Sequence, residues 1–201
     1  MKRILGILTA ALVLCASGAE RAYAQIAIGG TGLGILESWN SDGTTTLNKA
    51  LGVTGGASYF AHLGSSFAVE AGLRYRLVYD PNPHGFEHAL EAPFSLNWFL
   101  KKSADFVPFS DYGTHDERIP LIYAGPTFEM GIGGNVNGER RYGNGRQNYV
   151  NILVGGGVGL FIVEESMLLK LGYEYGLLDC SGDPAVSKHR HYMRLGLYFL
   201  L

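Results

Sequence analysis

Five segments of the chain carry all their charges on one parity. In 66–78 the charges are Glu70, Arg74 and Arg76, while the odd positions read Phe67, Val69, Ala71, Leu73, Tyr75 and Leu77. Glu91 shares its parity with Pro93, Ser95 and Asn97, opposite Leu90, Phe94, Leu96 and Trp98. Glu129 lies opposite Ile122, Phe128, Met130 and Ile132. Lys170 and Glu174 oppose Leu169, Leu171, Tyr173 and Tyr175; Arg190 and Arg194 oppose Met193, Leu195, Leu197 and Phe199. A strand alternates its side chains between two faces, so each segment has one apolar and one charged face. Such segments build a closed sheet with one greasy wall and one charged wall.

The N-terminus narrows which wall faces what. Lys2 and Arg3 precede an apolar or small stretch over 4–16, and Ala22-Tyr23-Ala24 supplies the small residues of a cleavage site. This pattern predicts a secretory signal peptide over 1–24 and a mature domain over 25–201. Cys15 follows Leu14, where a lipoprotein signal wants a small residue, and export leaves Cys180 alone, so no disulfide frames the fold. Removing Lys2, Arg3, Arg21 and Glu20 takes the net charge from −2 to −4. No basic patch interleaved with aromatics suggests a nucleic-acid partner.

Eight strands are predicted, over 25–36, 50–61, 66–79, 88–100, 119–133, 149–162, 166–177 and 189–201. Their lengths suit tilted strands crossing a bilayer. Connections 37–49, 80–87, 134–148 and 178–188 are longer and polar, whereas 62–65 and 163–165 are tight. Transmembrane barrels show this asymmetry, with short turns in the periplasm and longer loops outside. The segment 101–118 breaks it, being long on the short-turn side. A soluble lipocalin-like barrel would exchange inside and outside. Against that, Lys170 is the only lysine in the predicted strands, the polar face holds small or mutually pairing residues, and Tyr59, Tyr75, Tyr79, Trp98 and Phe199 fall near the ends of apolar faces. The expected fold is an all-β, eight-stranded antiparallel up-and-down transmembrane barrel in a Gram-negative outer membrane. Glu70, Arg74, Arg76, Glu91, Glu129, Lys170, Glu174, Arg190 and Arg194 are then expected to form a lumen salt-bridge network. At eight strands an interior is only wide enough for its own side chains.

Several motifs resemble a known family. The run His88-Ala-Leu-Glu-Ala-Pro-Phe-Ser-Leu-Asn97 is similar to the "L-E-[IV]-P-L" strand of the PorT-type outer-membrane β-barrel family of Bacteroidetes, and Ile119-Pro-Leu-Ile-Tyr-Ala-Gly-Pro-Thr127 to its "P-Y-x-x-A-G-P" strand. Gly155-Gly-Gly-Val-Gly159, Leu171-Gly-Tyr-Glu-Tyr-Gly-Leu-Leu-Asp179 and Leu195-Gly-Leu-Tyr-Phe199 follow in the family's order. The likeness covers 66–201, apart from the longer 101–118 segment. It implies a small eight-stranded outer-membrane barrel, and some members serve secretion and gliding machinery.

Chemistry is sparse. The glycines at 29–34 and 155–159 lack nucleotide-loop spacing and open no helix. His189 and His191 share a face near Asp179, Asp183 and Cys180, but no carboxylate or cysteine is fixed beside them by sequence, so no metal and no cofactor is assigned. A lipid hydrolase needs a nucleophile, a histidine base and an orienting carboxylate. Ser187 is the serine nearest those histidines and lies in the preceding loop, so no catalytic residue is assigned. Asp105, Phe106, Phe109, Asp111, Tyr112, Asp116 and Glu117 make the 101–118 segment a candidate docking loop. The expected function is a non-enzymatic scaffold or accessory subunit of an envelope or secretion assembly, with outer-membrane lipid and a periplasmic or outer-membrane protein as partners. A small passive porin and an outer-membrane lipid-modifying enzyme are the alternatives.

Overall fold

Burial alternates residue by residue along much of the sheet. The computed structural model describes residues 24–41, 43–63, 66–81, 84–100, 118–136, 139–140, 149–162, 166–179 and 186–201. The signal segment through Tyr23, Cys180, Asp183 and the docking-loop residues Asp105, Phe106, Phe109, Asp111, Tyr112, Asp116 and Glu117 lie outside the described residues. The strands are β1 (Ala24–Ser41), β2 (Thr44–His62), β3 (Phe67–Pro81), β4 (His84–Phe99), β5 (Arg118–Val136), the two-residue β6 (Glu139–Arg140), β7 (Val150–Ile162), β8 (Met167–Gly176) and β9 (Val186–Leu200). Each long strand pairs antiparallel with the next, β5 with β7 across β6, and β9 returns to β1. The eight long strands therefore close into a ring, and closure removes the free edges that make open sheets aggregate.

Two connections expected as loops are largely strand. The segment 37–49 is a hairpin extension in which Ser41 faces Thr44, turning through Gly43 at φ 76°. The segment 80–87 likewise continues the pairing to Pro81 opposite His84. The physical reason lies in residue type. Thr44, Thr45 and Thr46 are β-branched and favour extended backbone, and polar side chains suit a ribbon standing in water. The dipeptide Asp42-Gly43 is the hairpin signal in the sequence.

The wall has a definite sense. Leu195 is 64% exposed while its neighbour Arg194 is 5% exposed. Leu51, Val53, Leu73, Leu171 and Met193 are also exposed, and the charged parity points inward. An exterior this apolar around a charged interior needs lipid as its solvent. At the end bearing the short turns, each of the eight long strands sends at least one inward residue into an apolar layer that includes Ala27, Phe60, Ala68, Phe99, Leu121 and Phe161. A second apolar cluster (Leu33, Ile35, Ala50, Val78, Leu153, Tyr192) lies toward the other end.

Closing so narrow a ring needs backbone contact. A Cβ on Gly157 would stand 2.0 Å from the Leu171 carbonyl oxygen and 2.6 Å from the Gly172 Cα. Gly157→Val raises intrinsic strand preference, yet the clash requires β7 and β8 to part. Overpacking of this kind costs about 1–3 kcal/mol. The expected result is a lower urea midpoint for unfolding from lipid vesicles; an unchanged or higher midpoint would show that the wall yields there.

Candidate functional site

The inward positions of six strands bring acids and bases together in two linked layers. In the layer toward the hairpin tips, Arg76 is fully enclosed. Its Nη1 donates to Glu129 Oε2 at 2.5 Å and to the Tyr192 hydroxyl, and its Nη2 donates to Glu87 Oε1 at 2.8 Å and to the Tyr149 hydroxyl. Arg190 grips Glu87 with both terminal nitrogens, at 2.6 and 2.7 Å, and donates from Nε to Glu37 at 2.9 Å. Lys188 pairs with Glu37 at 2.8 Å. The hydroxyls of Tyr149 and Tyr192 donate to Glu87 and Glu129, at 2.7 and 2.8 Å.

In the second layer Arg194 forks onto Glu91, at 2.9 and 3.1 Å, and its Nε donates to Glu174 at 2.7 Å. Glu70 accepts from Arg74 at 2.7 Å, from Lys170 at 2.5 Å and from Ser95 Oγ at 3.0 Å. Arg76 stands 3.7 Å from Glu91 and joins the layers. Forked guanidinium–carboxylate pairs fix geometry as well as charge. Among the described residues, six enclosed cations (Arg74, Arg76, Lys170, Lys188, Arg190, Arg194) meet seven acids (Glu37, Glu70, Asp80, Glu87, Glu91, Glu129, Glu174). The interior thus nearly neutralises itself, which ions buried away from water require.

The nine charged residues named from parity all lie in this interior; Glu70, Arg74 and Lys170 form one set of ion pairs, and Arg76, Glu91, Glu129, Glu174, Arg190 and Arg194 another. The sequence reading left out Glu37, Asp80, Glu87 and Lys188, because it placed them in loops. Lys188 also corrects the expectation that Lys170 is the only strand lysine; Lys49 is another, on the outer side of β2. The signal that finds these four was present. Each keeps the inward parity of its strand, as Glu37 does with Ile35, Asp80 with Val78, Glu87 with Ala89 and Lys188 with Arg190.

Four of the described histidines lie elsewhere. His84, His88, His189 and His191 stand on the outer face near the hairpin end, each against a tyrosine ring: Tyr79 with His84, Tyr75 with His88, Tyr175 with His189, and Tyr173 with His191. Tyr59, Trp98 and Phe199 are exposed toward the other end. Together they form two interfacial belts. Ser187 Oγ is 3.4 Å from His189 Nε2, and the opposite ring nitrogen faces the Gly176 carbonyl at 3.4 Å. Asp179 instead accepts the Lys188 backbone N–H at 2.9 Å. A base in a catalytic triad is oriented by a carboxylate, and here a backbone carbonyl takes that position.

No protein-family model matches the sequence, and neither does any curated protein. Solved structures do resemble it. Neisserial surface protein A aligns over 88% of this chain and 98% of its own, with a TM-score of 0.50 at 12% identity. The attachment invasion locus protein Ail of Yersinia pestis covers 89% of this chain and 97% of its own, with a TM-score of 0.49 at 12% identity. The outer membrane enzyme PagL covers 84% and 98%, with a TM-score of 0.42 at 13% identity. The likeness to the Neisserial protein is one of fold. Together with the apolar exterior, it makes the chain an eight-stranded antiparallel barrel of the outer-membrane kind.

Proposed function

We propose that this protein is a non-enzymatic outer-membrane barrel that serves as a scaffold or accessory subunit of an envelope or secretion assembly. One observation carries the reading: the lumen is spent on its own stability. Its charges are paired with each other, and all eight long strands contribute to an apolar layer that closes the short-turn end. A conducting pore needs a continuous polar path. The barrel then supplies an anchor in outer-membrane lipid, and recognition falls to the segments at its ends. The 101–118 segment leaves from the end that carries the short turns, since β4 finishes at Phe99 and β5 starts at Arg118. That end is the periplasmic one in such barrels. The motif order shared with the PorT-type family supports a secretion-linked partner there.

In-cell cross-linking from Lys101 and Lys102, read by mass spectrometry, tests this. The expected result is a reproducible link to an envelope or secretion component. Deletion of 102–117 that leaves both partners and phenotype unchanged would sink the scaffold reading. The porin alternative predicts discrete current steps in planar bilayers; the sealed lumen predicts silence. The lipid-modifying alternative predicts an altered lipid A profile in Ser187→Ala, and the carbonyl beside His189 favours an unchanged one.

A further inference from the structure

The outer wall of the eight long strands carries bases and no acids. Their seven carboxylates all point into the lumen. Outside stand Lys49, His84, His88, His189 and His191 toward the hairpin tips, and Arg118 at the opposite end. Asp179, exposed just beyond β8, accepts the Lys188 backbone N–H. Lys49 is exposed and has no ion pair among the described residues.

Three of the imidazoles are held in the same way. The hydroxyls of Tyr75, Tyr79 and Tyr173 meet Nδ1 of His88, His84 and His191, the second of them at 3.2 Å. A hydroxyl that donates to Nδ1 keeps the proton of the ring on Nε2. In none of the three does Nε2 have a hydrogen-bond partner among the described residues, so each ring offers an N–H to whatever lies outside the wall. An anionic oxygen is the strongest acceptor for such a donor.

The bases are gathered on one side of the barrel. His191 of β9 faces Leu36 of β1, and Leu36 faces Lys49 of β2. Leu51, the next outward residue of β2, faces Tyr79, which holds His84 of β4. Two strand spacings of about 4.8 Å set the backbones of His191 and Lys49 roughly 10 Å apart. On β5 and β7 the outward residues toward the same end are Met130, Ile132, Val150 and Val154, all apolar and exposed. An interfacial belt that served only to seat the barrel would have no reason to confine its bases to one side.

We propose that the side formed by β9, β1, β2, β3 and β4 binds the headgroup of a phosphorylated glycolipid of the outer leaflet, of the lipid A kind. The hairpin tips place it in that leaflet. Lys49 and the imidazole N–H groups select phosphate. Their spread over separate strands fits a headgroup with two phosphates set apart on a sugar scaffold, which a single phosphodiester cannot span. Below them Leu51, Val53 and Leu195 are exposed to take acyl chains.

The test uses the full mature chain in detergent, read by native mass spectrometry with bisphosphorylated lipid A, the same lipid stripped of both phosphates, and phosphatidylglycerol. Bisphosphorylated lipid A is expected to stay bound at collision energies that strip the other two. Lys49→Gln should weaken its binding about fivefold, the usual worth of one basic residue at an anionic surface. His84→Phe combined with His191→Phe keeps an aromatic ring against each tyrosine, removes two N–H donors and should weaken it to a similar extent. Arg118→Gln takes a cation from the same wall at the periplasmic end and should leave retention unchanged. Unboiled electrophoretic mobility reports whether each variant is folded, and the three lipids compared on the unaltered chain decide if one is not. Equal retention of the dephosphorylated lipid, or equal losses in Arg118→Gln and Lys49→Gln, overturns the proposal. So does phosphatidylglycerol held as firmly as lipid A, which would assign the patch to anionic lipid in general.

Discussion

Arg76→Ala is expected to lower the stability of the barrel by about 3–5 kcal/mol, the usual cost of removing one partner from a buried ionic group. Arg76 is wholly enclosed, and its guanidinium is shared by Glu87 and Glu129, with Glu91 at 3.7 Å. Of these, Glu87 keeps Arg190 and Glu91 keeps Arg194. Glu129 is left with the Tyr192 hydroxyl and with Arg190 at 3.6 Å. The loss should therefore come mainly from one stranded carboxylate, so Glu129→Gln added to Arg76→Ala should recover part of it. A double-mutant cycle on urea unfolding in vesicles reads the coupling. If the two losses simply add, the pair is not a functional unit and the network is looser than its distances imply.

This network shows how far parity reasoning reaches. A two-residue period assigns a face to each residue whatever the register, so Glu70, Arg74 and Arg194 could be placed inside from sequence alone. It cannot say which acid meets which base, because Arg194 of β9 reaches Glu91 of β4 across the lumen and that depends on how the strands are staggered. Nor could it show where strands end. Glu37, Asp80, Glu87 and Lys188 are polar residues among other polar residues, and composition made their segments look like loops. Extending the alternation past the apolar stretch would have brought all four in. Tyr192 shares the parity of Arg190 and Arg194 and was legible in the same way. Tyr149 was not, because its strand carries no charge to mark the inner wall, and only the guanidinium facing its hydroxyl reveals it. The small chamber lined by Glu70, Arg74, Lys170, Glu174 and Arg194 could not be read at all. Pro93 and Pro126 stood out as motif residues, but that they interrupt adjoining ladders beside one polar chamber is a fact of register.

Leu195→Arg should cost about 2–4 kcal/mol, the penalty for a cation at the bilayer midplane of a barrel's outer face. Leu195 is 64% exposed and lies midway along β9 between Phe199, near one belt, and His191, in the other. Across the ladders it meets Gly32 of β1 and Leu171 of β8, neither of which can pair with a new charge. Thr45→Arg is the matched control. It places the same side chain on the exposed β1–β2 ribbon, where water is at hand, and should cost roughly 0–1 kcal/mol. The comparison bears on more than one site, because Arg194 is the next residue and contributes to stability through Glu91 and Glu174. One step along the chain would then turn an arginine from a structural tie into a severe defect, and that reversal is what a lipid-facing wall demands. Equal losses at 195 and 45, measured in vesicles, would mean that depth in the bilayer does not set the cost. The apolar exterior would then have to be covered by something other than lipid.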